Sequence, residues 1–309
     1  MSLSQRRWKR RQPPVLDTRR AAVYTITDNN AQKGTAMLQD IKPKIYDNAF
    51  RLEAPDADSR IMFVKNGAVL VRESEEGISF PAYGEIQPED GAYTYLFSID
   101  GTKYFLAEGV EPQRGYDYLE LVTFRHKKPK HRAFAAGVAG QLYSWYTRNR
   151  FCGRCGHGMQ PDTKERMMRC ACCGNLVYPA IAPAVIVGVT DGDRLLMTRY
   201  KGRVYRKYAL IAGFAEVGET IEETVMREVM EEAGLRVKNL KYYKSQPWPF
   251  SGSLLMGFFC ELDGPDTIVM DKDELDEAVW VRREDIDVEF DDASLTNEMI
   301  VYFRDGMKG

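Results

Sequence analysis

The stretch Gly213-Phe-Ala-Glu-Val-Gly-Glu219-Thr-Ile-Glu-Glu-Thr-Val-Met-Arg227-Glu228-Val-Met-Glu231-Glu232-Ala-Gly234-Leu235 decides how this chain is read. Five carboxylates follow Glu219 within one short segment. Thr220 is a good N-cap, and Glu223 three residues on completes a capping box, so a helix is predicted to start here. Gly234 can take the left-handed conformation that ends a helix. Ile221, Val225 and Val229 recur at every fourth residue, which predicts one face buried against a sheet. Glu228, Glu231 and Glu232 stand three and four apart and share a face, expected roughly opposite that apolar stripe. Like charges at this spacing repel, and a cluster of hard oxygen ligands suits Mg²⁺ or Mn²⁺, which removes the repulsion. The alternative is a solvated acidic face. Glu222 is expected to face water and Glu223 to act only as a cap.

Upstream, four of the six cysteines form Cys152-x2-Cys155-x14-Cys170-x2-Cys173. Each pair is followed by a glycine, Gly156 or Gly174, which permits a tight knuckle with backbone amides facing sulfur. Four thiolates so spaced predict one structural Zn²⁺ per chain, with no open position for catalysis. Two disulfides are the alternative, and nothing else in the chain suggests an oxidising compartment. Cys172 lies between the last two ligands and could compete; Cys260, in an apolar run, is expected to be a buried thiol. His126, His131 and His157 form no ligand spacing.

The 309 residues suffice for two domains and a small module. The formal net charge of −2 gives no general attraction to nucleic acid or membrane. No apolar run is long enough to span a bilayer, so a cytoplasmic protein without a membrane partner is expected. The first twenty residues carry Arg6, Arg7, Lys9, Arg10, Arg11, Arg19 and Arg20 against Asp17, and lack the apolar core of a secretory signal. They read as a flexible basic tail, or as an arm contacting RNA or a partner. Asn66-Gly67 and Asp100-Gly101 predict hairpins joining Ile61–Val64 to Val69–Arg72 and Tyr93–Ile99 to Lys103–Leu106. A helix is expected over Ala133 to Arg148. A further hairpin joins Ala184–Val189 to Leu195–Arg199, followed by strands near Tyr208–Ala212, Val237–Lys244 and Leu254–Leu262 and a helix over Leu295 to Phe303.

Set against G-x5-E-x7-R-E-U-x-E-E-x-G-U, with U apolar, all nine fixed positions of the opening stretch match, and it resembles the Nudix box of pyrophosphohydrolases. Ser245-Gln246-Pro247-Trp248-Pro249-Phe250-Ser251-Gly252-Ser253 is similar to S-Q-P-W-P-F-P-x-S, the signature of NADH pyrophosphatases. The resemblance covers about residues 130 to 309. It implies a mixed α+β fold: a C-terminal Nudix α/β/α sandwich with a mixed sheet (180–309), a central four-cysteine zinc ribbon (151–179) and a connecting helix (131–150). A β-rich N-terminal domain (21–130) and the basic arm (1–20) would precede them.

The resemblance also implies site roles. Glu228, Glu232, the carbonyl of Ala212 and, from Asp273-Glu274-Leu275-Asp276-Glu277, Glu274 would hold the catalytic Mg²⁺ or Mn²⁺. Glu231 would be a further ligand or orient water, and Arg227 would hold the acids and the loop in place. Glu165, Tyr178, Phe214 and Thr296 would contact substrate. Pro247 and Pro249 would stiffen a loop presenting Trp248 and Phe250 for stacking, with Gln246, Ser251 and Ser253 hydrogen bonding to ribose and phosphate and Gly252 in the same turn. The chain departs from the family at Ser251 (in place of proline), at Leu254–Met256 (one residue longer) and at Ala180 (often arginine).

The implied activity is hydrolysis of the diphosphate of NADH or NAD⁺ to NMN(H) and AMP. Removal of NAD caps from RNA is the same chemistry, and a homodimer is expected by family likeness. The alternatives are a Nudix hydrolase preferring ADP-ribose or another dinucleotide, or a non-catalytic zinc-ribbon protein that senses nucleotides or binds RNA.

Overall fold

Asn66 and Gly67 (φ 51° and 75°) and Asp100 and Gly101 (φ 48° and 77°) both take two successive left-handed conformations, the backbone of a two-residue hairpin turn. In the computed structural model, which describes residues 37–86, 92–107, 115–202 and 207–307, these turns build the N-terminal region; the basic arm lies outside the described residues. Tyr93–Ile99 and Thr102–Ala107 form the centre of one sheet, flanked by Tyr46–Asp47 and Arg60–Met62. Val64–Lys65, Ala68–Ser74, Gly77–Ser79 and Asp117–Glu120 form another. The expected strand Ile61–Val64 is therefore two strands. Ile61 pairs with Phe105 in a parallel ladder, whereas Val64 pairs with Val69 across the hairpin. Ile61, Met62, Phe63 and Val64 are all buried, so the run has no solvent face to keep it in a single sheet.

Helix α1, Lys130–Arg148, starts one turn earlier than expected. Its small residues Ala133, Ala135, Ala136 and Ala139 let it lie closely on the N-terminal core. Its last turn carries Trp145, which packs with Cys152, Met159, Met168 and Cys170 of the cysteine module. That module is a three-stranded antiparallel sheet of Met159–Pro161, Met168–Cys170 and Leu176–Val177.

The C-terminal part contains β1 (Ala182–Asp191), β2 (Arg194–Tyr200), β3 (Ile211–Phe214), α2 (Ile221–Ala233), β4 (Val237–Trp248), β5 (Ser253–Leu262), β6 (Leu275–Arg282) and α3 (Leu295–Arg304). The strands run in the order β4-β5-β1-β2-β6, with β3 also on β1. β1 and β5 are parallel and the other pairs antiparallel, so the sheet is mixed. Alternation of side chains along each strand separates two cores. Val185, Val187, Val189, Leu196 and Phe258 meet Val225, Val229 and Ala233 of α2. Ile186, Leu195, Met197 and Phe259 meet Leu295, Met299, Ile300 and Phe303 of α3. The result is helix, sheet, helix in three layers. No helix among the described residues is long and apolar enough to cross a membrane.

The proline–aromatic string is not wholly a loop. Ser245 to Trp248 complete β4, with Trp248 opposite Ser253, and only the residues between form the turn. Gln246 corrects an expectation: it is fully buried, and its side chain is spent on protein. Its Nε2 donates to the carbonyl of Ala293 (2.9 Å) and its Oε1 accepts from the amide of Leu295 (2.8 Å), fixing the start of α3 to β4. Pro249 is also buried, with Gly137 of α1 so near that a Cβ there would lie 2.7 Å from its Cγ, and Phe250 packs on the N-terminal core. Gln246 and Pro249 are thus buried against protein, while Phe250 is only partly buried and meets the Trp248 ring edge-on at 4.9 Å. Replacing Gln246 with Leu would strand both backbone groups and should lower unfolding free energy by roughly 2–4 kcal/mol, measured by urea denaturation.

Candidate functional site

Helix α2 begins as its sequence dictates. The Thr220 hydroxyl accepts from the Glu223 amide (3.2 Å) and the Glu223 carboxylate from the Thr220 amide (2.8 Å). It ends at Gly234, φ 67°. The expected position of the acids needs correction. Glu228 and Glu232 do not face away from the apolar stripe: they are 8% and 1% exposed and turn in beside Val225 and Val229 toward β3. At 100° per residue Glu228 and Glu232 fall either side of Ile221, so their direction is the buried one. Gly213 makes room, since a Cβ there would lie 1.9 Å from the Glu228 carboxyl carbon. Only Glu231 stays outside, its side chain 59% exposed.

Arg227 gathers these groups. Its guanidinium donates to Glu219 (2.5 and 2.9 Å), Glu228 (2.8 Å), Glu231 (2.9 Å) and the carbonyl of Phe214 (2.8 Å). Hydrogen bonding from Arg227 holds the Glu219 carboxyl at about 2, well below its ordinary value. Burial acts the other way on the inner pair: Glu228 is raised, and Glu232 is pushed up to about 8, with the charges of Glu228 and Glu274 adding to the effect. Tyr200, which sequence reasoning missed, places its hydroxyl 3.2 and 3.1 Å from the two Glu232 oxygens and accepts the Ala212 amide at 2.8 Å. Glu274 immediately precedes β6, and its carbonyl accepts the amide of Lys201 (2.9 Å).

This donor set fits a hard divalent cation. Two buried carboxylates of like charge share one side of α2, the charge of Glu274 acts on both, and the Tyr200 hydroxyl links Glu232 to the backbone of Ala212; a cation is what would allow both to stay ionised.

A cavity of about 860 Å³ lies on the α3 side of the sheet; neither acid of the inner pair lines it, but Gly213 beside Glu228 and Tyr200 beside Glu232 do. Its floor is Ala184 and Ile186 of β1, Ala212 and Phe214 of β3, and Ser253 and Leu255 of β5. Trp248 and Ser251 line one end, Arg199 and Tyr208 the other, and Ser294, Thr296 and Asn297 at the start of α3 also line it. Ser251 and Ser253 are joined through their hydroxyls at 2.6 Å. Of the expected substrate contacts, the cavity thus collects Phe214, Trp248, Ser251, Ser253 and Thr296. Pro247 and Gly252 are not among its lining residues. Glu165 and Tyr178 are exposed on the cysteine module, bonded to each other at 3.1 Å.

A further lining residue comes from outside the C-terminal part. Arg125, in the 3-10 turn Leu121–His126, lies 5.0 Å from the Trp248 ring centre and 3.9 Å from Asp291. Neither Arg125 nor Tyr200 belongs to a local pattern; both are placed by tertiary packing.

The four cysteines converge. Cys152 and Cys173 sulfurs are 3.6 Å apart and Cys155 and Cys170 sulfurs 3.5 Å, with all four within 4.8 Å of one another. Tetrahedral thiolates at the usual Zn–S distance would be about 3.8 Å apart, so the set fits zinc. The Arg154 amide donates to Cys152 sulfur (3.4 Å), as the knuckle reading requires. Cys172 and His157 also come within ligand distance of Cys155, which the spacing of the histidines did not suggest.

Residues 180–302 match the NUDIX domain family model, and residues 147–178 match the NADH pyrophosphatase zinc ribbon domain. The chain contains a Nudix domain and an NADH pyrophosphatase zinc ribbon domain. Proteins named NAD-capped RNA hydrolase NudC from Salmonella typhi and from Escherichia coli O9:H4 are each 46% identical to it over 151 residues, 49% of this chain and 58% of theirs. The chain thus spans little more than half the length of these curated relatives. A NUDIX hydrolase structure from Nitrosomonas europaea covers 52% of this chain and 93% of its own, at 22% identity and a TM-score of 0.44.

The raised carboxyl of Glu232 in the Nudix domain has a stability consequence. Its folded-state value of about 8 lies above the ordinary 4.5, so the folded protein holds this proton more tightly than the unfolded chain. The resulting stabilisation is full below the unfolded value and is lost as pH rises through the folded one. In zinc-loaded protein without other divalent cations, urea midpoints should fall from about pH 5 to about pH 9 relative to those of Glu232→Gln. Parallel curves for the two proteins would refute the burial argument.

Proposed function

We propose that this chain hydrolyses the diphosphate of NADH or NAD⁺, giving NMN(H) and AMP, with Mg²⁺ or Mn²⁺ at Glu228, Glu232, Glu274 and the Ala212 carbonyl. The observation that carries the reading is the buried Glu228–Glu232 pair packed against Gly213 and Tyr200, two residues that also line the cavity to which Trp248 contributes its ring. A diphosphate is anionic and resists attack at phosphorus; a bound divalent cation would offset that charge and lower the pKa of a water. Arg227 keeps Glu228 and Glu231 in register. Glu231, exposed on the outer side of α2, is suited to orient the attacking water. Water adds to one phosphorus, the bridging P–O bond breaks, and each product leaves with one phosphate. Trp248 and Phe214 offer ring faces for the bases, and Ser251, Ser253 and Thr296 offer hydrogen bonds.

The name of the relatives supports NAD-capped RNA as a second substrate of the same site. A structural zinc in the ribbon, a homodimer and the domain divisions at 21–130, 131–150, 151–179 and 180–309 belong to the same proposal. The exposed pair Glu165–Tyr178 would then serve as a substrate contact only where ribbon and cavity meet across such an assembly.

Glu228→Gln and Glu232→Gln should each lower NADH turnover about a thousandfold while leaving zinc content and fold intact. Products are identified by mass from NADH, NAD⁺, ADP-ribose, diadenosine diphosphate and NAD-capped RNA. Undiminished turnover in both variants refutes the catalytic assignment, and a preference for ADP-ribose replaces the substrate assignment. Trp248→Ala should raise KM for NADH about tenfold or more if its ring stacks on a base.

A further inference from the structure

Strand β3 is short, and β1 pairs with only one of its edges. On the other side Ala209 bridges Thr198 alone, and the ladder of β2 with β6 is irregular between Arg199 and Tyr200. The Tyr200 hydroxyl takes the place of the missing strand. It accepts the Ala212 amide at 2.8 Å and lies 3.3 and 3.4 Å from the carbonyl oxygens of Leu210 and Ala212. The same oxygen is 3.2 and 3.1 Å from the two oxygens of Glu232. One atom therefore connects the backbone of Ala212, through its amide at 2.8 Å and its carbonyl at 3.4 Å, with the carboxylate of Glu232, the more buried of the inner pair.

We propose that Tyr200 is a positioning residue for the catalytic cation, holding the Ala212 peptide and the Glu232 carboxylate at a fixed separation. This rests on the metal-dependent reading of the acids given above. A hydroxyl has one proton to donate, and with the Ala212 amide on its acceptor side the nearest acceptors for that proton are the Glu232 oxygens, at 3.1 and 3.2 Å against 3.3 and 3.4 Å for the two carbonyls. Partners behind metal ligands fix ligand orientation, and removing one typically weakens metal binding by about 10–100-fold. The sequence Thr198-Arg199-Tyr200-Lys201 carries no motif, so the role exists only through the approach of β2 to β3.

Tyr200→Phe keeps the ring and removes only the hydroxyl. Mn²⁺ binding to zinc-loaded protein, read from the paramagnetic resonance signal of free Mn²⁺, should weaken about tenfold or more. The deficit in NADH turnover should be largest at limiting Mn²⁺ and should shrink as Mn²⁺ is raised, as expected of a residue that acts through the cation. Unchanged Mn²⁺ affinity overturns the proposal, and so does tighter binding, which would mean that the hydroxyl obstructs the site. A lowered melting temperature with unchanged affinity assigns a structural role only. A wild-type chain that binds no Mn²⁺ at these acids also overturns it. Mn²⁺ binding without NADH turnover leaves Tyr200 testable and refutes the substrate reading alone.

Discussion

The burial of two like-charged carboxylates, Glu228 and Glu232, against β3 is the constraint on which the rest of the structure turns. Removing one charge from water is costly, and removing two side by side costs more. Each neighbour bears on that cost. Arg227 supplies a cation to Glu228 and is itself anchored by Glu219, whose carboxyl remains ionised far into acid. Gly213 removes a Cβ that would collide with Glu228. Tyr200 gives Glu232 its hydrogen bond. What remains uncompensated is electrostatic, and a divalent cation, as proposed above, would supply that remainder. A site that is unfavourable when empty is selective for what fills it.

A second set of contacts holds the cavity that adjoins the acid site through Gly213 and Tyr200. Its roof is the start of α3, where Gln246 ties Ala293 and Leu295 to β4. Just before it, Asp291 and Asp292 meet the basic segment that leads into α1: Asp292 pairs with Lys128 (2.8 Å) and Lys130 (3.1 Å), and Asp291 lies near Arg125. Pro249 against Gly137 fixes the opposite wall to α1. The Nudix domain supplies the acids and the floor, while the segment before α1 helps to hold the walls. This gives the N-terminal region a structural part in the cavity that its own sequence does not announce.

Signals carried by adjacent residues were legible in the chain alone. The capping box at Thr220 and Glu223, the left-handed Gly234, the two-residue turns at Asn66 and Asp100 and the paired cysteine knuckles each depend on a few neighbours. Local geometry therefore fixes them whatever the fold. The box stretch and the cysteine spacing also named the ligand types, because hard oxygens and thiolates select their metals by chemistry.

Tertiary structure decided which of those residues face one another. Counting at 100° per residue already sets Glu228 and Glu232 beside Ile221, but a carboxylate belongs in water unless something receives it, and only Gly213 and β3 supply the space that takes the pair inward. Gln246 reads as a ligand contact in one dimension and becomes the tie of α3 to β4 in three. Tyr200 and Arg125 reach the site from a strand end and from another region, at sequence separations of 32 residues from Glu232 and of 123 residues from Trp248. Spacing along a chain encodes helix faces and turns; only packing sets what lies across the gap between two elements.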